Sequence, residues 1–168
     1  MGDKLSTDAK SGIEDLASLR RLLGPSDDPR MMGRIGTYEI VGLLGQGGMG
    51  VVFKAFDPSL NRYVAIKMLA PMLMPSVVFK QRFLREAQSA AAVVHDNVVG
   101  IHAISEWQGN PYLVMTFVRG QSLQSRLHDR GHLSLREALR IGSQISAGLD
   151  GARGIQLLRF RLREGTCR

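Results

Sequence analysis

The stretch "LLGQGGMGVVFKAF", residues 43–56, places glycines at 45, 47, 48 and 50 and then returns at once to valine and phenylalanine. Glycine loses more conformational freedom on folding than any other residue, so four in six positions need a reason in the backbone. A Rossmann turn would use its third glycine to open a helix that receives a pyrophosphate. Here Val51, Val52 and Phe53 follow, β-branched and aromatic residues that predict a strand. A Walker loop would close in Gly-Lys-Ser/Thr, and this one closes in Gly50-Val51. What remains is a β-hairpin tipped with glycine, whose bare backbone N–H groups can approach a polyphosphate that side chains would hold away. A mobile hairpin that binds nothing is the alternative, and the rest of the chain decides between them.

Outward from the hairpin, "YEIVGLLG" and "VVFKAF" read as two short strands, and the turn-rich Asp57-Pro58-Ser59-Leu60-Asn61 leads into a third, "RYVAIKML". These predict an antiparallel meander. From Ser76 to about His95, Phe79, Phe83, Ala87, Ala90 and Val94 recur at three- and four-residue steps, which predicts an amphipathic helix. Two more strand-like runs follow, "VVGIHAIS" and "PYLVMTFV", joined by Gln108-Gly109-Asn110. After Gly120 the pattern is helical. "SLQSRLHDRG" is short and ends at Gly131, while "SLREALRIGSQISAGL" opens with Ser134 and Glu137 as a capping box. Its stripe of Leu135, Ala138, Leu139, Gly142, Ile145 and Leu149 needs a cover that little remaining chain could supply. Before the meander, residues 1–36 are polar, carry Ile13, Leu16, Leu19 and Leu23 at helical spacing, enough for one short amphipathic helix and not for a core, and read as a flexible linker, with a docking segment as the alternative.

Two charged residues bear on the hairpin. Alternation in "YVAIK" puts Ala65 and Lys67 on one strand face and Val64, Ile66 and Met68 on the other. A lysine ending such a run needs an anion, because an unpaired buried ammonium is costly. Glu86 lies seven residues after Phe79. At about 100° per residue that returns it to the helix's apolar face, where a carboxylate needs a cation. Lys67 and Glu86 are therefore expected to satisfy each other, and with the glycine hairpin they favour a phosphate site.

Composition bounds the other classes. The 168 residues are 44% hydrophobic and 22% charged, which suits one globular domain with tails. No apolar run reaches the roughly 18 residues of a membrane helix, and Pro71 and Pro75 break the best candidate. The first residues hold no apolar signal core, so the chain is expected in the cytoplasm, although Gly2 and Ser6 match the short myristoylation pattern. Cys167 is single and cannot form an internal disulfide. The net charge of +7 is concentrated in an arginine-dense end, and no helix-turn-helix, zinc-finger or RNA-binding pattern accompanies it. Neither nucleic acid nor membrane is an expected partner.

Together these residues resemble the eukaryotic-like protein kinases, and most closely the bacterial serine/threonine kinases. "LGQGGMGVVFKA" is similar to their G-x-G-x-x-G-x-V loop, "VAIK" to their strand lysine motif, and Glu86 to their helix-borne glutamate. "HDNVVGIHAI" and "YLVMTFVRGQSL" resemble the family's link from that helix into the next strand and its passage into the hinge. The resemblance implies an α+β fold: a kinase-like N-lobe, with a five-stranded antiparallel sheet plus one helix, followed by the first helices of a C-lobe. It implies ATP and protein substrates as partners, and a nucleotide site of Leu44, Gly45, Gln46, Gly47, Gly48, Met49, Gly50, Val51, Val52, Ala65, Lys67, Glu86, Met115, Thr116 and Val118. Lys67 would hold the α- and β-phosphates and Glu86 would fix Lys67. Val52 and Ala65 would roof the adenine, with Met115 as gatekeeper and the backbone at Thr116 and Val118 on its edge. The implied division is 1–36 as N-terminal segment, 37–118 as ATP-binding lobe, 119–150 as start of the helical lobe and 151–168 as an arginine-rich tail.

The family's catalytic motifs are missing. No His-Arg-Asp, Asp-Phe-Gly or Ala-Pro-Glu occurs, no asparagine follows Asn110, and the later aspartates are Asp129 and Asp150 alone. Neither the catalytic base nor a ligand for the Mg²⁺ the family uses can be assigned. The expectation is a serine/threonine kinase segment truncated or read out of frame after about residue 150 and inactive by itself. The alternatives are an ATP-binding pseudokinase and a non-catalytic module that docks through its helical stripe.

Overall fold

The computed structural model describes residues 17–47 and 50–151. The hairpin forms as its alternation requires. Strand β2 (Tyr38–Gly47) runs to the glycine tip and β3 (Gly50–Asp57) returns, closing with Gly47 opposite Gly50. Asp57 then accepts hydrogen bonds from the Ser59 hydroxyl at 2.6 Å and the Ser59 and Leu60 amides, building the turn into β4 (Arg62–Leu69). Beyond a 3₁₀ turn at Pro71–Leu73, α1 (Val77–Ala91) leads to β5 (Ile101–Trp107) and β6 (Asn110–Thr116).

These strands form one antiparallel sheet with a sixth, β1 (Gly33–Ile35), in the order β1-β2-β3-β4-β6-β5. On β3 and β4 the expected alternation turns Val51, Phe53, Ala55, Val64, Ile66 and Met68 into the core, each at most 1% exposed. Phe83 and Ala87 of α1 join the same cluster. The fold class is the one expected, with one strand more than the five read from the sequence.

That strand lies within the presumed linker, which needs correction from residue 19 onward. Leu19 and Ile35 are core residues at 1% and 0% exposure. The Gly24 and Arg34 backbones exchange two hydrogen bonds of 2.9 Å, and the Trp107 indole N–H donates to the Leu22 carbonyl at 3.0 Å. Because β1 and β5 are opposite edges of the sheet, residues 22–24 bridge both. Leucines too sparse for a core of their own thus complete one built downstream. Residues 1–16, including Ile13, Leu16 and the myristoylation pattern, lie outside the described residues, as do 152–168 with Cys167.

The helices differ from expectation in detail. Ser76 caps α1, accepting from the Phe79 amide at 3.4 Å, but the helix ends at Ala91 rather than near His95. β-branched Val93 and Val94 follow, and Val94 is 97% exposed instead of packed. Helix α2 (Leu123–Arg130) stops at Gly131, whose φ of 73° lets its N–H return to the Leu127 carbonyl. In α3 (Leu135–Gly151) the Ser134 hydroxyl accepts from the Glu137 amide at 3.3 Å as the capping box requires. The Glu137 carboxylate also takes Arg126, tying α2 to α3. The buried face of α3 is not the expected one. Ile141 and Gly148 are buried with Ile145 partly so, while Leu135 and Leu139 stay exposed and Leu149 lies beyond the described side chains.

Candidate functional site

Register determines which side chains share the concave face of the sheet. Val52 stands opposite Lys67, Lys54 opposite Ala65, and Ala65 opposite Met115. Side chains on directly opposed residues fall on the same face, so Val52, Ala65 and Met115 form a contiguous apolar wall, each 7% exposed or less. They line a cleft of about 920 Å³ that reaches from the hairpin to the first helices. Leu44, Gly45 and Gln46 form its upper lip, and Thr116, Phe117 and Val118 its back as the chain leaves the sheet. Arg126, Arg140, Ile141 and Ile145 form the opposite wall.

Eight of the expected site residues thus meet in one cleft: Leu44, Gly45, Gln46, Val52, Ala65, Met115, Thr116 and Val118. Gly47, Gly50, Lys67 and Glu86 lie outside its lining, and Gly48 and Met49 lie outside the described residues. Val51 needs correction, since alternation turns it into the core at 0% exposure, away from the cleft that Val52 faces. The opposite wall was not foreseen. The only sequence signal for it was the helical pattern after Gly120, which says nothing of where those helices dock.

The glycines divide by what holds them. A Cβ on Gly50 would stand 2.4 Å from the Met68 carbonyl oxygen and 3.6 Å from Lys67 Cε, so strand packing itself demands glycine there. A Cβ on Gly47 would meet nothing within 4 Å. Folding places no such demand on Gly47.

The expected pairing of Lys67 with Glu86 is also corrected. Among the described residues Glu86 forms its ion pair with Arg82, whose Nε donates to Oε1 at 2.7 Å, and Oε2 is buried without a hydrogen-bond partner. An i,i+4 pair forms within the helix however the helix is seated, whereas a pair reaching to β4 needs one particular seating. Among the described residues no group of three or more His, Cys, Asp or Glu side chains could hold a metal, and no helix is long and apolar enough to cross a membrane.

On β5, His102 Nε2 lies 3.3 Å from the Thr116 hydroxyl. Desolvation, reinforced by the Arg62 guanidinium, holds the imidazole below its ordinary pKa.

Comparison with known proteins agrees with this architecture. Residues 38–151 match the protein kinase domain family. The serine/threonine-protein kinase PknD of Mycobacterium tuberculosis is 36% identical over 124 residues, 74% of this chain and 19% of that protein. PrkC of Bacillus subtilis is 38% identical over 123 residues, with 73% and 19% covered. The chain therefore spans about a fifth of the length of these curated relatives. Among solved structures, the kinase domain of M. tuberculosis PknI superposes with a TM-score of 0.61 at 30% identity, covering 72% of this chain and 51% of that one.

Proposed function

Because the chain belongs to the protein kinase family and is a segment of the serine/threonine kinase type, we propose that its cleft binds ATP. On this reading the adenine lies between the wall of Val52, Ala65 and Met115 and the lower wall at Ile141, with its edge on the Thr116 and Val118 backbone. The phosphates lie under the glycine tip, residues 45–50, within reach of Lys67, while Arg126, paired with Glu137, and Arg140 line the opposite wall. The observation that carries the reading is Gly47. No steric demand of the fold explains a glycine there, and close approach of a phosphate to the backbone does.

Phosphoryl transfer is a separate matter. Protein kinases place a catalytic aspartate and two metal-binding side chains beyond the hinge, and residues 119–168 hold none of their motifs. Positioned acid–base catalysis is worth about 10² to 10⁴ in rate, and metal ions bridging the phosphates add more. Among the described residues no donor set fits Mg²⁺, so no step through the metal is derived. These 168 residues are proposed to bind nucleotide weakly and not to phosphorylate a protein by themselves. Residues 37–118, joined by the segment from residue 19 that packs into the same core, would be the nucleotide-binding lobe, 119–150 the start of the helical lobe, and 151–168 an arginine-rich tail. The exposed Leu135 and Leu139, 77% and 65% accessible, favour a second reading in which the helical part also docks onto protein.

Calorimetric titration of the full chain with Mg·ATP tests the first reading. Saturable binding that Lys67→Met weakens about tenfold or more is expected, since a charged hydrogen bond to phosphate is lost. Absence of saturable binding, or equal binding by the variant, overturns it.

A further inference from the structure

Lys54, Phe56 and Tyr63 take no part in the nucleotide contacts described above, yet they form a continuous bracket at the cleft's outer edge. Lys54 and Phe56 of β3 stand opposite Ala65 and Tyr63 of β4, so register places all four on the concave face. The Phe56 and Tyr63 rings meet edge to face, 5.5 Å between centroids at 62°. Tyr63 in turn meets Phe117 at 6.4 Å and 58°. The Lys54 ammonium sits 4.4 Å from the Tyr63 centroid and 5.1 Å from that of Phe117. Both distances lie inside the roughly 6 Å within which a cation is drawn to a ring face. One ammonium therefore joins a strand residue to a residue of the chain that leaves the sheet.

That chain needs an external support. The Thr116 amide donates to the Gly100 carbonyl at 2.9 Å, and strand β6 ends at this residue. Phe117 and Val118 come after the ladder, so side-chain packing and not strand pairing sets their backbone. Val118 packs against the core cluster. Phe117 is held by the bracket, and it lines the cleft beside the backbone expected to meet the adenine edge.

We propose that Lys54 and Tyr63 are positioning residues which, by clamping Phe117, hold the Thr116–Val118 backbone in the conformation that receives the base. The proposal rests on the reading of the cleft as an ATP site. It concerns the base and not the phosphates, so the two halves of the ligand respond differently.

The test compares the full chain with Lys54→Met, Lys54→Arg, Tyr63→Leu and Tyr63→Phe, titrated with Mg·ATP and with Mg·tripolyphosphate. Hydrogen exchange of the 116–118 amides is followed without ligand. Lys54→Met and Tyr63→Leu are expected to lose about two- to fivefold in ATP affinity, to leave tripolyphosphate affinity unchanged, and to speed exchange at 116–118. Lys54→Arg and Tyr63→Phe keep the cation and the ring, and are expected to match the parent. Unchanged ATP affinity in both disruptive variants overturns the proposal, as does equal loss of ATP and tripolyphosphate, which would make Lys54 a simple phosphate contact. If the parent binds no ATP the nucleotide reading fails. Exchange then decides the clamp alone: faster exchange in Lys54→Met supports it and unchanged exchange overturns it.

Discussion

Glu86 on α1 accepts a hydrogen bond from Arg82 one helical turn earlier, at 2.7 Å, and leaves its second carboxylate oxygen buried without a partner. A buried unsatisfied acceptor costs about 1–3 kcal/mol, and an i,i+4 pair returns only about 0.2–0.5 kcal/mol. It is the Oε2 atom that is cut off from solvent, the side chain as a whole being 16% exposed.

Replacing it should therefore stabilise the fold. Glu86→Leu is expected to raise unfolding free energy by about 1 kcal/mol in urea denaturation, while weakening Mg·ATP binding. A loss of stability instead would mean that the carboxylate is compensated in solution by Lys67, the pairing expected from sequence.

Gly47 and Gly50 should separate fold from ligand. Gly50→Ala drives a Cβ into the Met68 carbonyl and is expected to cost about 1–3 kcal/mol, as overpacking does. Gly47→Ala meets open space and should leave the melting temperature unchanged while lowering ATP affinity. Thermal melts with calorimetric titration of both variants check the pair. Equal ATP affinity in stable Gly47→Ala would remove the support that this glycine lends to the nucleotide reading.

Closure of the sheet by residues 22–24 should be measurable through Trp107, the single tryptophan of the chain. Trp107→Phe removes the indole donor to Leu22, with an expected cost of about 0.5–1.5 kcal/mol. Gly33→Ala should cost more, because φ is 149° and a Cβ would stand 2.7 Å from both the Gly24 oxygen and Leu23 Cβ. Fluorescence of Trp107 in that variant is expected to shift toward a solvent-exposed spectrum before global unfolding. An unshifted spectrum would show that the bridge does not depend on this contact.

The pH dependence follows from His102 and Asp57. The folded imidazole titrates below its ordinary value of 6.5, so the unfolded chain takes up a proton that the folded chain resists. Stability present above pH 6.5 is lost as pH falls through the lower folded value. Asp57, held below its ordinary 3.8 first by the Ser59 hydroxyl, adds a loss of the same sign in more acidic solution. Melting temperature should thus begin to fall as pH drops below about 7, through His102, and fall again below about pH 4, through Asp57. His102→Gln should flatten the upper step alone, and an unaltered upper step would exclude His102 as its origin.

The glycine hairpin, its return strand, the Ser76 and Ser134 helix starts and the Gly131 stop were all legible in sequence. Each depends on a local rule: two-residue alternation, a side chain that caps the next turn, or a φ that glycine tolerates. Val52, Ala65 and Met115 were named through the resemblance to the kinase family, and it is the register of three strands that puts them on one face. Alternation removes Val51 from the site, since neighbours in a strand cannot share a face.

Three features were decided only in three dimensions. Leu19 and Leu22 are far from Trp107 in the chain, and nothing local says that a short polar segment with a few leucines will close the edges of a sheet formed later. The face of α3 that is buried, Ile141 rather than Leu135 and Leu139, depends on which neighbour the helix meets, and helical periodicity alone offers more than one apolar stripe. The partner of Glu86 is the third. Sequence by itself determined that α1 would carry a carboxylate needing a cation, because burying a charge is costly whatever the topology. Whether that cation came from β4 or from the same helix was a question of how the helix sits on the sheet, and only the packed structure supplied Arg82 as the answer.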